Sequence, residues 1–186
     1  MKNMLAALLA LSALGACERQ SGVMEEIARA EKEETDRAAN AAAQSGKFLD
    51  DARARVGVVT TASGLAYEVT RAAPDANLPR PPREGQVLVH YEGRLADGTV
   101  FDSSIERGQP AEFPVAGVVP GFAEALMVMR PGEEIIAYLP SELAYGEEGS
   151  PPRIPPNAAL QFRIQLLAFA RPDGQIFSAP GLERRQ

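Results

Sequence analysis

Histidine and cysteine, the side chains most often used near neutral pH to relay protons, attack covalently or bind zinc, are scarce in this chain, which narrows the chemistry open to it. Among 186 residues there is one histidine, His90, and one cysteine, Cys17. A serine–histidine–acid relay needs a histidine held between a nucleophile and a carboxylate. His90 instead alternates with Val89 and Tyr91 in a strand-like run, which puts it facing outward. A single cysteine excludes an internal disulfide framework and a cysteine-based zinc site, and neither metal nor cofactor is expected. The 19 basic and 25 acidic residues leave a net charge of −6, with no Lys/Arg-rich run. Without a basic patch there is no phosphate attraction, and nucleic acid is not an expected partner. What remains is apolar and aromatic. Taken singly, Phe101, Phe113, Ile154 and Phe162 suit a β-rich core, as do Val118 and Val119, while Tyr145 precedes Gly146 as a turn aromatic would. Asp102-Ser103-Ser104 reads as an Asx turn or a helix cap.

These residues fall on short elements. Residues 58–61 and 65–71 are β-rich runs around Ser63-Gly64, a hairpin pattern. Val87, Val89 and Tyr91 alternate with Leu88 and His90 as in a strand. Asp97-Gly98 is a turn signal before Thr99-Val100-Phe101. Pro120-Gly121 opens a helix over 122–129 in which Phe122, Leu126 and Met129 share a face, and Arg130-Pro131-Gly132 closes it. Two more strands follow at 133–139 and 160–169; in the second, Leu160, Phe162, Ile164 and Leu166 alternate with polar residues. The pattern predicts an α+β fold, a largely antiparallel sheet with one short helix on its apolar face. Residues 74–85 hold four prolines and are expected to run as an extended connector.

The first 56 residues have another character. Lys2 precedes an apolar run from Met4 to Leu14, broken by Ser12. That run is shorter than the roughly 20 residues that span a bilayer and fits the apolar core of a secretory signal. Leu14-Gly15-Ala16-Cys17 resembles the bacterial lipoprotein box. The resemblance implies lipidation of Cys17, anchoring to a membrane, and a periplasm-facing lipoprotein of the cell envelope, expected in the outer membrane. Residues 23–44 are rich in good helix formers, with Glu25–Arg29 and Glu33–Arg37 at i,i+4 spacing. Ser45-Gly46 is expected to interrupt that helix before a second piece, 47–56, with Phe48, Ala52 and Val56 on one stripe. The thin apolar face predicts a solvated spacer and a monomer, or a weak dimer through the N-terminal helix. The expected divisions are a signal peptide at 1–16, a helical stalk at 17–56, the main domain at 57–170 and a loose extension at 171–186.

Three separated segments carry a family resemblance: VHYEGRLADGTVFDSS (89–104), VVPGFAEALMVMRPGE (118–133) and LAYGEEGSPPRIPPNAALQFRIQLL (143–167). In order, spacing and local residues they resemble the FKBP-type peptidyl-prolyl cis/trans isomerases. TTASGLAYEV (60–69) is similar to the lead-in of the bacterial periplasmic branch. The resemblance implies a twisted antiparallel sheet wrapped on one short helix, with a shallow apolar cleft between them.

Carried over residue by residue, the resemblance assigns catalysis to Tyr91, Phe101, Asp102, Tyr145 and Phe162. It assigns substrate binding to Phe113, Val118, Val119, Phe122 and Ile154. The implied partners are proline-containing, unfolded or partly folded proteins, and FKBP-directed macrolides. Phe122 departs from the family pattern, which usually has tryptophan there. Isomerising an X-Pro amide means twisting a resonance-stabilised bond. That requires no nucleophile and no proton relay, which suits the scarcity noted above. Within this reading Tyr145 supplies a hydroxyl donor, the N–H of Val119 a second donor, and Asp102 either faces the twisted carbonyl carbon or braces Tyr91. Glu147, Glu148 and Arg153 are expected at the rim. The alternative function in another class is a non-catalytic chaperone or scaffold holding proline-containing chains in the same cleft.

Overall fold

The structure, a computed structural model, describes residues 14–181, with side chains over 22–181 apart from 34 and 37. The start of the expected leader, the Cys17 side chain and the Glu33–Arg37 pair therefore lie outside the described residues. The chain divides into two compact units, Met1–Ala39 and Asn40–Gln186. In the first, helix α1, which runs over Leu14–Arg53, is solvated: Val23, Met24 and Ile27 are exposed. Arg29 pairs with Glu33 at 3.2 Å rather than with Glu25, and Lys32 with Asp36 at 2.7 Å.

The second unit begins inside α1, at Asn40, and the helix does not break at Ser45-Gly46 as expected. Ser45 is buried while Gly46 faces open space, and burial of the helix's last turns outweighs the weak helix propensity of the pair. Phe48, Leu49 and Ala52 join Ala66, Tyr138 and Ala159 in a second apolar cluster. Arg55 donates to the Tyr138 hydroxyl at 2.8 Å, which in turn donates to Glu68 at 3.0 Å. Val56, expected on the buried stripe, lies beyond the helix end and is fully exposed.

The sheet is antiparallel throughout. Its strands are β1 (Val59–Thr60), β2 (Ala66–Arg71), β3 (Gln86–Leu95), β4 (Val100–Ser103), β5 (Ala111–Pro114), β6 (Glu134–Leu139), β7 (Leu160–Ala170) and β8 (Ile176–Ser178). The order is β1-β2-β6-β7-β3-β4, with β5 beside the first half of β3 and β8 beside the last residues of β7. Along β7 the expected alternation holds: Leu160, Phe162, Ile164 and Leu166 are buried, while Gln161, Arg163 and Gln165 point out. On the outward face Glu134 accepts from Arg163 at 2.7 Å and pairs with Arg71 at 3.1 Å. Two strands escaped the sequence reading. One is β5, four residues long. The other is β8, inside the expected loose tail, where Phe177 stacks on Phe169 at 5.0 Å and supplies the burial that holds the segment.

Helix α2 (Pro120–Val128) lies on the inward face and buries Phe122, Ala123, Ala125 and Leu126 in the main core. It starts with proline in the first turn, where the missing N–H costs nothing. Gly121 sets the approach, since a Cβ there would meet Leu139 at 2.6 Å.

Candidate active site

A cleft of about 360 Å³ opens between α2 and the inward face of the sheet, lined by Tyr91, Phe101, Asp102, Phe113, Gly117, Val118, Val119, Phe122, Tyr145 and Phe162. Nine of the ten pocket residues expected from sequence are thus brought together. Ile154 is not among the lining residues; it lies in the main core, 4% exposed, where it supports the loop carrying Tyr145. Gly117, absent from the sequence reading, completes the lining.

The floor is a mutually tilted set of rings. Phe122, 4% exposed, has its ring centre 4.9 Å from Phe162, 5.9 Å from Tyr91 and 6.3 Å from Phe113, all near perpendicular. Phe101 meets Phe162 edge to face at 5.6 Å. Edge-to-face packing sets the positive edge of one ring on the negative face of another, so each ring restrains its neighbours. Gly93 makes this possible, because a Cβ there would meet Phe101 at 2.5 Å and Phe162 at 2.9 Å.

One wall is polar. The Tyr91 hydroxyl donates to Asp102 Oδ2, and Arg107 forms an ion pair with Asp102 Oδ1. Arg107 Nη2 also donates to the Tyr91 oxygen at 3.0 Å, and its guanidinium sits 5.6 Å from the Tyr91 ring centre. Burial pushes the Asp102 carboxyl up, but the bonds from Tyr91 and Arg107 with the guanidinium charge outweigh it and hold the group below its ordinary range. Asp102 is therefore an ionised acceptor with both oxygens engaged, and it braces Tyr91. Burial, then the bond to Asp102, raises the Tyr91 phenol, which stays protonated as a donor.

Arg107 was missed because nothing in its spacing marks it. The segment after β4 folds back to bring it in: Ser103 Oγ accepts the N–H of Glu106 at 3.2 Å, and buried Ser104 Oγ accepts the N–H of Tyr91 at 2.8 Å. The two serines make the turn while the Asp102 side chain serves the cleft.

Tyr145 is 39% exposed, and no described residue bonds its hydroxyl, which leaves a donor at the mouth. Its loop is closed by the N–H of Gly149 to the Tyr145 carbonyl at 3.1 Å. Arg153 reaches the Phe101 carbonyl at 3.3 Å, while Glu147 and Glu148 are exposed on the same loop. Val119 is the N-cap of α2, a helix end whose first N–H groups lack intrahelical acceptors. Among the described residues no group of three potential metal ligands occurs.

Comparison with known proteins fits this geometry. Residues 79–167 match the family model for the FKBP-type peptidyl-prolyl cis-trans isomerase, and residues 3–69 match that for the domain amino-terminal to it. The chain is 48% identical over 126 residues to the FKBP-type 22 kDa peptidyl-prolyl cis-trans isomerase of Escherichia coli (strain K12), covering 68% of this chain and 60% of that protein. It is 45% identical over 130 residues to the peptidyl-prolyl cis-trans isomerase Mip of Coxiella burnetii, covering 70% and 55%. The chain thus spans less than two thirds of the length of these relatives. The crystal structure of FkpA from Escherichia coli superposes with a TM-score of 0.75 at 32% identity, covering 92% of this chain and 76% of that one. With this sequence match, fold and aromatic cleft, the chain belongs to the FKBP-type peptidyl-prolyl cis-trans isomerase family.

Proposed function

We propose that this chain accelerates cis/trans isomerisation of X-Pro bonds in folding proteins of the bacterial envelope. The observation that carries the proposal is the ring-floored cleft with a donor at its mouth and no serine, cysteine, histidine or lysine among its lining residues. The barrier to rotation, about 18–20 kcal/mol, comes from amide resonance. The planar amide is more dipolar than the twisted one, so an apolar enclosure favours the twisted form. Phe122, Phe162 and Tyr91 receive the proline ring. The Tyr145 hydroxyl and the N–H of Val119 hold the substrate carbonyls, which favours the transition state over the ground state. Asp102 and Arg107 keep Tyr91 in place, and no proton moves. Phe122 offers less surface than an indole, so the floor grips proline more weakly than a tryptophan would.

In this proposal residues 1–16 are a leader, Cys17 carries a lipid anchor, and the cleft faces the periplasm from the outer membrane. The apolar run of the leader and the sequence Leu14-Gly15-Ala16-Cys17 support that reading. Clients are proline-containing chains, and an FKBP-directed macrolide competes for the cleft. The test is the cis-to-trans rate of a short X-Pro reporter peptide, with and without such a macrolide. Acceleration abolished by the macrolide is the expected result. A folded chain that binds the peptide without accelerating it would replace the enzyme with a holding chaperone.

A further inference from the structure

Ser45, about two turns before the end of α1, is 7% exposed, and its Oγ accepts the backbone N–H of Ala159 at 2.7 Å across 114 residues of sequence. A mid-helix serine more often faces water or bonds the carbonyl four residues back. Here it reaches the segment that joins the cleft loop to β7. Two residues before Ala159, the N–H of Asn157 donates to the carbonyl of Gly146 at 2.9 Å. Asn157 has φ 58°, so the chain between these two bonds turns tightly. Gly146 follows Tyr145, whose side chain lines the cleft. The loop has little slack elsewhere: a Cβ on Gly149 would meet the Ile154 carbonyl oxygen at 2.6 Å.

We infer that Ser45 is a positioning residue for Tyr145, acting through Ala159 and the Asn157–Gly146 bond. The end of α1 then belongs to the machinery of the cleft as well as to the support of the sheet. The catalytic consequence rests on the isomerase reading; the structural one does not.

The test uses the full chain. Ser45→Ala leaves a buried N–H without an acceptor, and kcat/KM for an X-Pro peptide is expected to fall about tenfold. Amide exchange is expected to speed up within residues 145–159 while β3 and β6 keep their protection. In a Tyr145→Phe background the same substitution should cost nothing more. Ser45→Thr keeps the hydroxyl and is expected to restore both readouts, since a cavity of about 50 Å³ lined by Ser45, Ala158 and Ala159 has room for its methyl group. Lys47→Ala, on the exposed side of the helix with Asp51, should change nothing. The inference is overturned by unchanged exchange over 145–159, by faster exchange spread evenly through the sheet, or by a full Ser45→Ala loss in the Tyr145→Phe background. If the wild-type chain does not accelerate isomerisation, the proposed function fails, and the exchange pattern alone decides this inference by the same criteria.

Discussion

Gly93→Ala places one methyl group where β3 has no room for it. Gly93 stands opposite Phe162 on one side and Asp102 on the other. The added Cβ would lie 2.5 and 2.8 Å from two carbons of the Phe101 ring and 2.9 Å from Phe162, against the 3.4 Å at which ordinary contact begins. Phe101 must therefore retreat by about 0.9 Å (3.4 less 2.5). Phe162 cannot share the move easily, because it is buried against Phe122 at 4.9 Å. Overpacking of this kind costs about 1–3 kcal/mol. A displacement near 1 Å in a wall of the site can cost up to about 100-fold in rate. Urea unfolding and the X-Pro reporter assay, run on the same preparation, read the two effects separately. Removing the Phe101 ring as well, with Phe101→Ala, should relieve its share of the steric loss, leaving the 2.9 Å approach to Phe162, without restoring the rate. A Gly93→Ala chain within about 0.5 kcal/mol of wild type, the range of neutral surface substitutions, and with an unchanged rate would refute the claim that these rings are pinned.

Four further outcomes are expected. Arg107→Leu should lower kcat/KM by about tenfold with the fold retained by circular dichroism, since Tyr91 loses one of its two polar restraints. Because the folded Asp102 carboxyl lies below its ordinary value, its network stabilises the chain at neutral pH, and that share is lost as pH falls below about 4. Acid unfolding of Arg107→Leu should show a smaller loss over that window. On the alkaline side, burial and then the bond to Glu68 push the Tyr138 phenol up to about 12. Its stabilisation is intact below pH 10 and disappears as pH rises towards 12, a step that Tyr138→Phe should abolish in pH-dependent thermal melts. A chain starting at Gly57 loses the burial of Leu49 and Ala52 and the Ser45–Ala159 bond, and should unfold about 3–5 kcal/mol more easily than one starting at Asn40.

Wherever local physics decides, the elements were legible in the residues alone. Period-two alternation along β3 and β7, Asp97-Gly98 before β4 and Pro120-Gly121 before α2 each specify a conformation within a few residues. The motifs at 89–104, 118–133 and 143–167 then carried the family and most of the cleft lining, because their spacing reflects one shared backbone. Tertiary structure decided what depends on burial. Ser45-Gly46 looks like a break until the sheet surface beneath it is present, and β8 looks like tail until Phe177 finds Phe169. Arg107 carries no pattern, since its role arises only when the turn after β4 swings it onto Asp102 and Tyr91. Ile154 shows the converse: its place in the family motif suggested the pocket, while packing put it in the core behind the Tyr145 loop. Short-range preferences are written residue by residue; which side chains meet across a hundred residues is settled by the collapse that buries them.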